Sequence, residues 1–89
     1  MTPGELNTLL ANLAEALRKI GIPLSREIQP QVVVNTRAKR RLGCCIRKNG
    51  VFTIEVSNGI LEDTSLLRAT LVHELLHTCN GCQKHGERW

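Results

Sequence analysis

Three histidines near the C-terminal end of the chain are the side chains best suited to bind a metal ion. Two of them belong to the run His73-Glu74-Leu75-Leu76-His77, inside a segment with helical spacing. Residues four apart on a helix lie one above the other, about 6 Å along the axis, so both imidazoles can reach one zinc ion at about 2.0–2.1 Å. Glu74 is turned by about 100° from His73, which places its carboxylate beside the metal rather than on it.

Glu74 is predicted to act as a general base. Zinc lowers the pKa of its bound water to about 7, and a neighbouring carboxylate can take the proton and later pass it to the leaving amine. In a buried helix without a metal, His73, Glu74 and His77 would be three polar groups without compensation. The spacing therefore favours a catalytic zinc (Zn2+) site over incidental histidines.

A catalytic zinc site needs a third protein ligand and keeps its fourth position open. His85 is the next candidate along the chain, with Glu87 as the fallback, and a surface histidine near the chain end is the other interpretation of His85. No glycine follows His77 at the offset that metzincins use, and Met1 is the sole methionine, so the pattern excludes a metzincin.

Four cysteines in a chain without an apolar leader are expected to be reduced thiols. Cys79 and Cys82 form a Cys-x-x-Cys pair, for which loop thiols, a redox-sensitive disulfide and half of a metal site all stay open. Cys44 and Cys45 could complete the structural zinc site of which Cys79 and Cys82 would be half only if both thiols faced the same way, which a regular strand forbids.

The first predicted element is an amphipathic helix. Its start combines Thr2, Pro3 and Glu5 in a capping box, and Gly21 stands where a left-handed cap ends a helix. The apolar positions with helical spacing are Leu6, Leu9, Leu10, Leu13, Ala14, Leu17 and Ile20.

Three strands are predicted next. The run Val32-Val33-Val34 is apolar enough to be covered on both faces. Residues 42–48 and 51–57 flank Asn49-Gly50, a dipeptide typical of a type I′ hairpin turn. That turn pairs Lys48 with Val51 and Arg47 with Phe52. Cys45, Phe52, Ile54 and Val56 then share the core face, and Cys44 points the other way.

A second helix is predicted from about Asp63 to Cys79, with Asp63 or Thr64 as its cap. The order of helix, three strands and helix predicts an α+β fold with a small antiparallel or mixed three-stranded sheet and a zincin-type active-site helix. Residues 1–89 are expected to form a single domain. A substrate segment would lie extended along a free edge of the sheet, and the pattern leaves open which strand forms that edge.

Several segments together resemble the SprT-like zinc metalloproteases, relatives of the protease Spartan. The likeness spans most of the chain. It rests on residues 37–43 (RAKRRLG), on Ile54-Glu55-Val56-Ser57, on the histidine motif at 73–77, and on the His-Gly-x-x-aromatic element at 85–89 (HGERW). The last of these is the most specific, because the metal motif by itself occurs in unrelated hydrolases.

This resemblance implies that His73, His77 and His85 are the zinc ligands and that Glu74 is the catalytic base. It implies hydrolysis of peptide bonds in protein substrates, in some members on DNA. The stretch between His77 and His85 is shorter than in better-known members, and the family usually continues beyond the position of Trp89. We therefore expect a truncated catalytic core with a C-terminal continuation.

The net charge of +4 comes largely from a basic segment before and within the hairpin. Arg37, Lys39, Arg40 and Arg41 are candidate phosphate contacts, although aromatic residues for base stacking are not interleaved with them. A solvated basic face is the alternative. No stretch is apolar enough to span a bilayer, so we expect a cytoplasmic protein that does not enter membranes.

Two rival functions remain at this stage. In a deformylase-like metal hydrolase, Cys44 or Cys45 would be the third ligand, although residues 42–46 do not reproduce the deformylase signature. In a non-catalytic module, zinc would only stabilise the fold while residues 37–41 bind nucleic acid. Glu74 argues against the second rival, because a structural zinc site has no need of an adjacent base.

Overall fold

The computed structural model describes residues 1–37 and 41–79. Over these residues the fold is α+β, as predicted: a helix, three strands in one mixed sheet, a short 3₁₀ helix and a second helix. The elements are α1 (Pro3–Lys19), β1 (Val33–Asn35), β2 (Gly43–Lys48), β3 (Val51–Ser57), the 3₁₀ helix (Asn58–Ile60) and α2 (Thr64–Leu76).

Helix α1 begins and ends as its sequence predicts. The Thr2 hydroxyl accepts from the Glu5 N–H at 3.2 Å, and the Glu5 carboxylate accepts from the Thr2 N–H at 2.8 Å. Hydrogen bonding to the carboxylate, first by the Thr2 backbone and then by the Thr2 side chain, holds the pKa of Glu5 below its ordinary value. At the other end Gly21 has a φ of 92°, and the N–H groups of Gly21 and Ile22 bond the carbonyls of Arg18 and Leu17. This is a Schellman cap, which a glycine in the left-handed region adopts without steric cost.

The hairpin between β2 and β3 has the predicted register. Asn49 and Gly50 both have positive φ, at 54° and 79°, as a type I′ turn requires. Lys48 pairs with Val51, and Arg47 pairs with Phe52. Cys45 therefore lies opposite Ile54 on the core face, whereas Cys44 lies opposite Glu55 on the other face.

Strand β1 differs from the expectation that it is covered on both faces. The sheet order is β1-β3-β2, so β1 is an edge strand, and it runs parallel to β3. Val34 packs against the core, but Val33 is 44% exposed. The three-valine run thus marks an edge strand with one buried face, and its apolar character alone could not reveal this. Ahead of β1, Ile28 makes a parallel bridge to Phe52 on the same side of β3.

Helix α2 packs on β2 and β3, and α1 packs on α2. The core combines Leu6 and Leu10 of α1, Ile54 and Val56 of β3, and a fully buried stripe of α2. That stripe consists of Leu67, Leu71 and Leu75. Neither helix in the described ranges is long and apolar enough to cross a membrane.

The end of α2 lies earlier than the predicted Cys79. Asp63 caps the start, where its carboxylate accepts from the Leu66 N–H at 3.1 Å, but the helix ends at Leu76 and His77 is its C-cap. The next N–H groups bond carbonyls three residues back, which tightens the last turn. Thr78 is fully buried and accepts from the Ser25 N–H, so a contact from a distant segment holds this end of the helix.

Candidate metal and catalytic site

The site is built on the last turns of α2. His73 and His77 are one helical turn apart, and their Nε2 atoms lie 3.2 Å from each other. The rings meet edge-on, with centroids 4.8 Å apart and planes at 87°. His73 is exposed to solvent, whereas His77 is 7% exposed. One imidazole therefore faces the open side of the site and the other forms its floor.

This arrangement fits a zinc ion. Two nitrogens that bind one tetrahedral zinc at about 2.0–2.1 Å are about 3.3–3.4 Å apart. The observed 3.2 Å is close to that separation, and both nitrogens belong to imidazole, a ligand that zinc favours. His73 and His77 would hold the ion, with further ligands supplied from outside α2.

Glu74 lies beside the histidine pair and is 6% exposed. The start of β2 covers its side chain closely, since a Cβ atom at Gly43 would lie only 3.2 Å from the Glu74 Cγ. The same imaginary Cβ would lie 2.6 Å from the Thr70 Cγ2, one turn earlier on α2. The Glu74 side chain is thus confined between its own helix and the backbone of β2.

All three side chains of the motif border one cleft of about 610 Å³. Its other wall is β2, through Gly43, Cys45 and Arg47, and Phe52 of β3 also lines it. Because the sheet order leaves β2 at an edge, the cleft runs between α2 and an edge strand. Among the residues that the structure describes, β2 is thus the sheet edge next to the histidines.

The family assignment follows from a comparison with known protein families. A family model described as SprT-like matches residues 11–89. The chain belongs to the SprT-like family. No curated protein and no solved structure matches the chain. Membership is consistent with a zinc-metallopeptidase-like domain.

The predicted third ligand of this SprT-like chain, His85, lies outside the described residues, as does its fallback Glu87. Within residues 1–37 and 41–79, no three side chains of His, Cys, Asp or Glu form a group that could hold a metal. The structure therefore brings together His73, His77 and Glu74 and leaves the assignment of His85 a prediction.

Cys45 lines the same cleft and faces α2. The pKa of its thiol is raised to about 12, chiefly by burial and in addition by the nearby Glu74 carboxylate and by Cys44. The thiol is therefore neutral at physiological pH when no metal is bound to it. Cys79 is buried in the core, and its predicted partner Cys82 lies outside the described residues.

Glu55 on β3 contacts Asn35, which precedes the basic segment, and Arg41, which ends it. The Asn35 side-chain amide donates to the Glu55 carboxylate at 3.1 Å, and Arg41 makes an ion pair with it at 3.6 Å. Arg37 and Arg41 are exposed, and Lys39 and Arg40 lie outside the described residues. Two of the four predicted nucleic-acid contacts are thus placed on the surface, next to the start of β2.

Sequence reasoning about chemistry missed Gly43. Gly43 belongs to the segment 37–43 that resembles the family, and on β2 it lies against the Glu74 side chain. A single glycine at the start of a predicted strand is a signal of close backbone approach, and this signal could have identified the residue.

Proposed function

We propose that this SprT-like chain is a zinc-dependent metallopeptidase that hydrolyses peptide bonds of protein substrates. The observation that carries the proposal is the 3.2 Å separation of the His73 and His77 Nε2 atoms beside the buried Glu74. His85 is the proposed third ligand.

When bound, zinc supplies a Lewis acid that polarises the scissile carbonyl and lowers the pKa of water. Glu74 takes a proton from the attacking water and passes it to the leaving amine nitrogen. Confinement of the Glu74 side chain between α2 and β2 supports this role, because a base that is already positioned needs no reorganisation during the reaction.

The outer edge of β2 is proposed as the substrate site. An extended substrate segment would add to β2 as a further strand, with main-chain hydrogen bonds for affinity. The position of β2 at the sheet edge and along the cleft supports this, since the added strand would pass His73 and Glu74. Exposed Leu42, just before β2, and Ile46 on β2 would contact apolar side chains of the substrate.

A deformylase-like hydrolase is the second candidate, because Cys45 lines the same cleft as the two histidines. Residues 42–46 do not reproduce the deformylase signature, which disfavours this candidate. Comparing His85→Ala with Cys45→Ser decides between the candidates. The metallopeptidase proposal expects zinc binding to be lost or strongly weakened only in His85→Ala, and loss only in Cys45→Ser would favour the deformylase-like site.

The test of function is peptidase activity on an unfolded protein such as casein, together with zinc content by elemental analysis. Glu74→Gln should retain one zinc per chain and lose turnover by at least about 100-fold. Glu15→Gln makes the same chemical change on the exposed surface of α1 and is the matched control. Unchanged turnover in Glu74→Gln would contradict the peptidase proposal and favour a non-catalytic zinc module.

A further inference from the structure

Gly43 brings β2 against α2 at the level of the proposed base. A Cβ atom at this position would lie 2.6 Å from the Thr70 Cγ2 and 3.2 Å from both the Glu74 Cγ and the Glu55 carbonyl oxygen. A contact of 2.6 Å is too short for two carbon atoms, so any side chain at residue 43 would displace a neighbour. Only glycine fits at residue 43 without displacing a neighbour.

The neighbours have little freedom to move. Thr70 and Glu74 are one turn apart on the same face of α2, and they are 7% and 6% exposed. A β-branched threonine in a helix has few χ1 rotamers, so its Cγ2 cannot swing aside easily. On the far side, Gly43 pairs with Val56, and the Ser57 N–H donates to the Leu42 carbonyl at 2.8 Å. The start of β2 is therefore held between β3 and α2.

We propose that Gly43 is a positioning residue for Glu74. The absence of a side chain sets the separation of β2 and α2, and this separation sets how far the Glu74 carboxylate extends into the cleft. The consequence for turnover rests on the proposed function, but the positioning itself is a property of the packing. Gly43 touches Glu74 rather than substrate, so it acts through the base.

The expected effect separates turnover from substrate affinity. Gly43→Ala displaces Glu74 by a few tenths of an ångström, and kcat falls about tenfold because proton transfer depends on its alignment. KM stays within about twofold, since the main-chain hydrogen bonds that the edge of β2 would offer to substrate do not depend on a side chain at residue 43. Zinc content is unchanged because the nitrogens of His73 and His77 are not contacted.

Thr70→Ser offers a rescue. Serine lacks the Cγ2 atom that makes the closest contact, so adding Thr70→Ser to Gly43→Ala should raise kcat about threefold, a partial recovery of the roughly tenfold loss. Gly4→Ala is the matched control, because a Cβ at Gly4 would meet nothing within 4 Å. The experiment measures kcat, KM and zinc content for the parent chain, both single variants, the double variant and the control.

A second readout follows the carboxyl group itself. The ¹³C resonance of the Glu74 carboxyl, recorded by NMR on the same proteins, should move in Gly43→Ala and return toward the parent position in the double variant. A Glu74 resonance that does not move would overturn the inference. So would an unchanged kcat, a loss confined to KM, or a loss that Thr70→Ser does not relieve.

The two proposals can fail separately. A parent chain without peptidase activity contradicts the proposed function, whereas the Glu74 resonance still decides the role of Gly43. If Gly43→Ala alone does not fold, the double variant is compared with Thr70→Ser. In the double variant, the 3.2 Å contact between the new Cβ and the Glu74 Cγ remains. Compared with Thr70→Ser, this variant should therefore show a shifted Glu74 resonance and a kcat about threefold lower, and identical values would refute the inference.

Discussion

Ser25 donates its backbone N–H to two oxygens of Thr78, the carbonyl and the hydroxyl, each at 3.2 Å. The Thr78 hydroxyl in turn donates to the Leu75 carbonyl at 2.8 Å. These bonds join the connector after α1 to the residue that follows His77. The end of α2 is thus attached to a segment far away in sequence.

Thr78→Val should lower the free energy of unfolding by about 1 kcal/mol, because it removes the hydroxyl but keeps the shape of the buried side chain. Urea unfolding measures the change. Thr78→Ser keeps the hydroxyl and is the informative control for these hydrogen bonds. Equal stability of the valine variant and the parent would mean that the hydroxyl contributes nothing at this position.

The N-terminal cap of α2 gives a second stability prediction. Asp63→Ala removes the acceptor for the Leu66 N–H and should destabilise the fold by about 1 kcal/mol. Asp63→Asn retains an acceptor of similar capping strength and should stay close to the parent. Thermal and urea unfolding of the two variants provide the comparison, and identical behaviour would rule out a capping role for Asp63.

Zinc binding should stabilise the fold. A ligand that binds only the folded state adds about 2.7 kcal/mol at a free concentration 100 times its Kd. Removing zinc with a chelator should therefore lower the Tm of the parent chain, and adding zinc back should restore it. His77→Ala should show a much smaller zinc-dependent shift, and an undiminished shift in that variant would place the metal elsewhere.

The Cys45 thiol should make stability fall at alkaline pH. Its pKa is raised from 9.0 to about 12 in the folded chain, so the folded state keeps a proton that the unfolded state releases. The resulting stability is fully present below pH 9 and is lost as the pH rises from 9 toward 12. Urea unfolding at a series of pH values, with Cys45→Ala as the comparison, measures this dependence, which the alanine variant should show less steeply.

Alkylation provides a direct check of the same thiol. Iodoacetamide at pH 9 should label Cys45 much more slowly in the folded chain than in urea, because the thiolate is the reactive form. Mass spectrometry of digested samples identifies the labelled residue. Equal rates in the folded and unfolded chains would contradict a buried, neutral thiol.

Nucleic-acid binding by the basic segment remains a proposal that salt dependence can test. Changing Arg37, Lys39 and Arg40 to glutamine should reduce the slope of log K against log salt by up to about 2.7 if all three contact DNA phosphates. Arg41 is left in place because it pairs with Glu55. Fluorescence anisotropy with duplex DNA measures the slope, and an unchanged slope would identify the segment as a solvated face.

Local patterns in the sequence determined the elements that depend on neighbouring residues. Some local features follow from conformations that only a few residue types adopt. They are the capping box at Thr2 and Glu5, the left-handed cap at Gly21 and the turn at Asn49-Gly50. The hairpin register follows from that turn, because a two-residue loop leaves one pairing. The convergence of His73 and His77 likewise follows from the four-residue spacing on a helix.

Tertiary structure decided everything that depends on which segments meet. Apolar character could not show that β1 lies at an edge and runs parallel to β3, since that requires contacts between distant residues. The apolar pattern of the sequence predicted that α2 continues to about Cys79, but the helix ends at Leu76. Just beyond that end, Thr78 is bonded to the distant residue Ser25. The confinement of Glu74 by Gly43 also depends on tertiary structure: helix spacing brings His73 and His77 together, but only packing of β2 on α2 confines the Glu74 side chain.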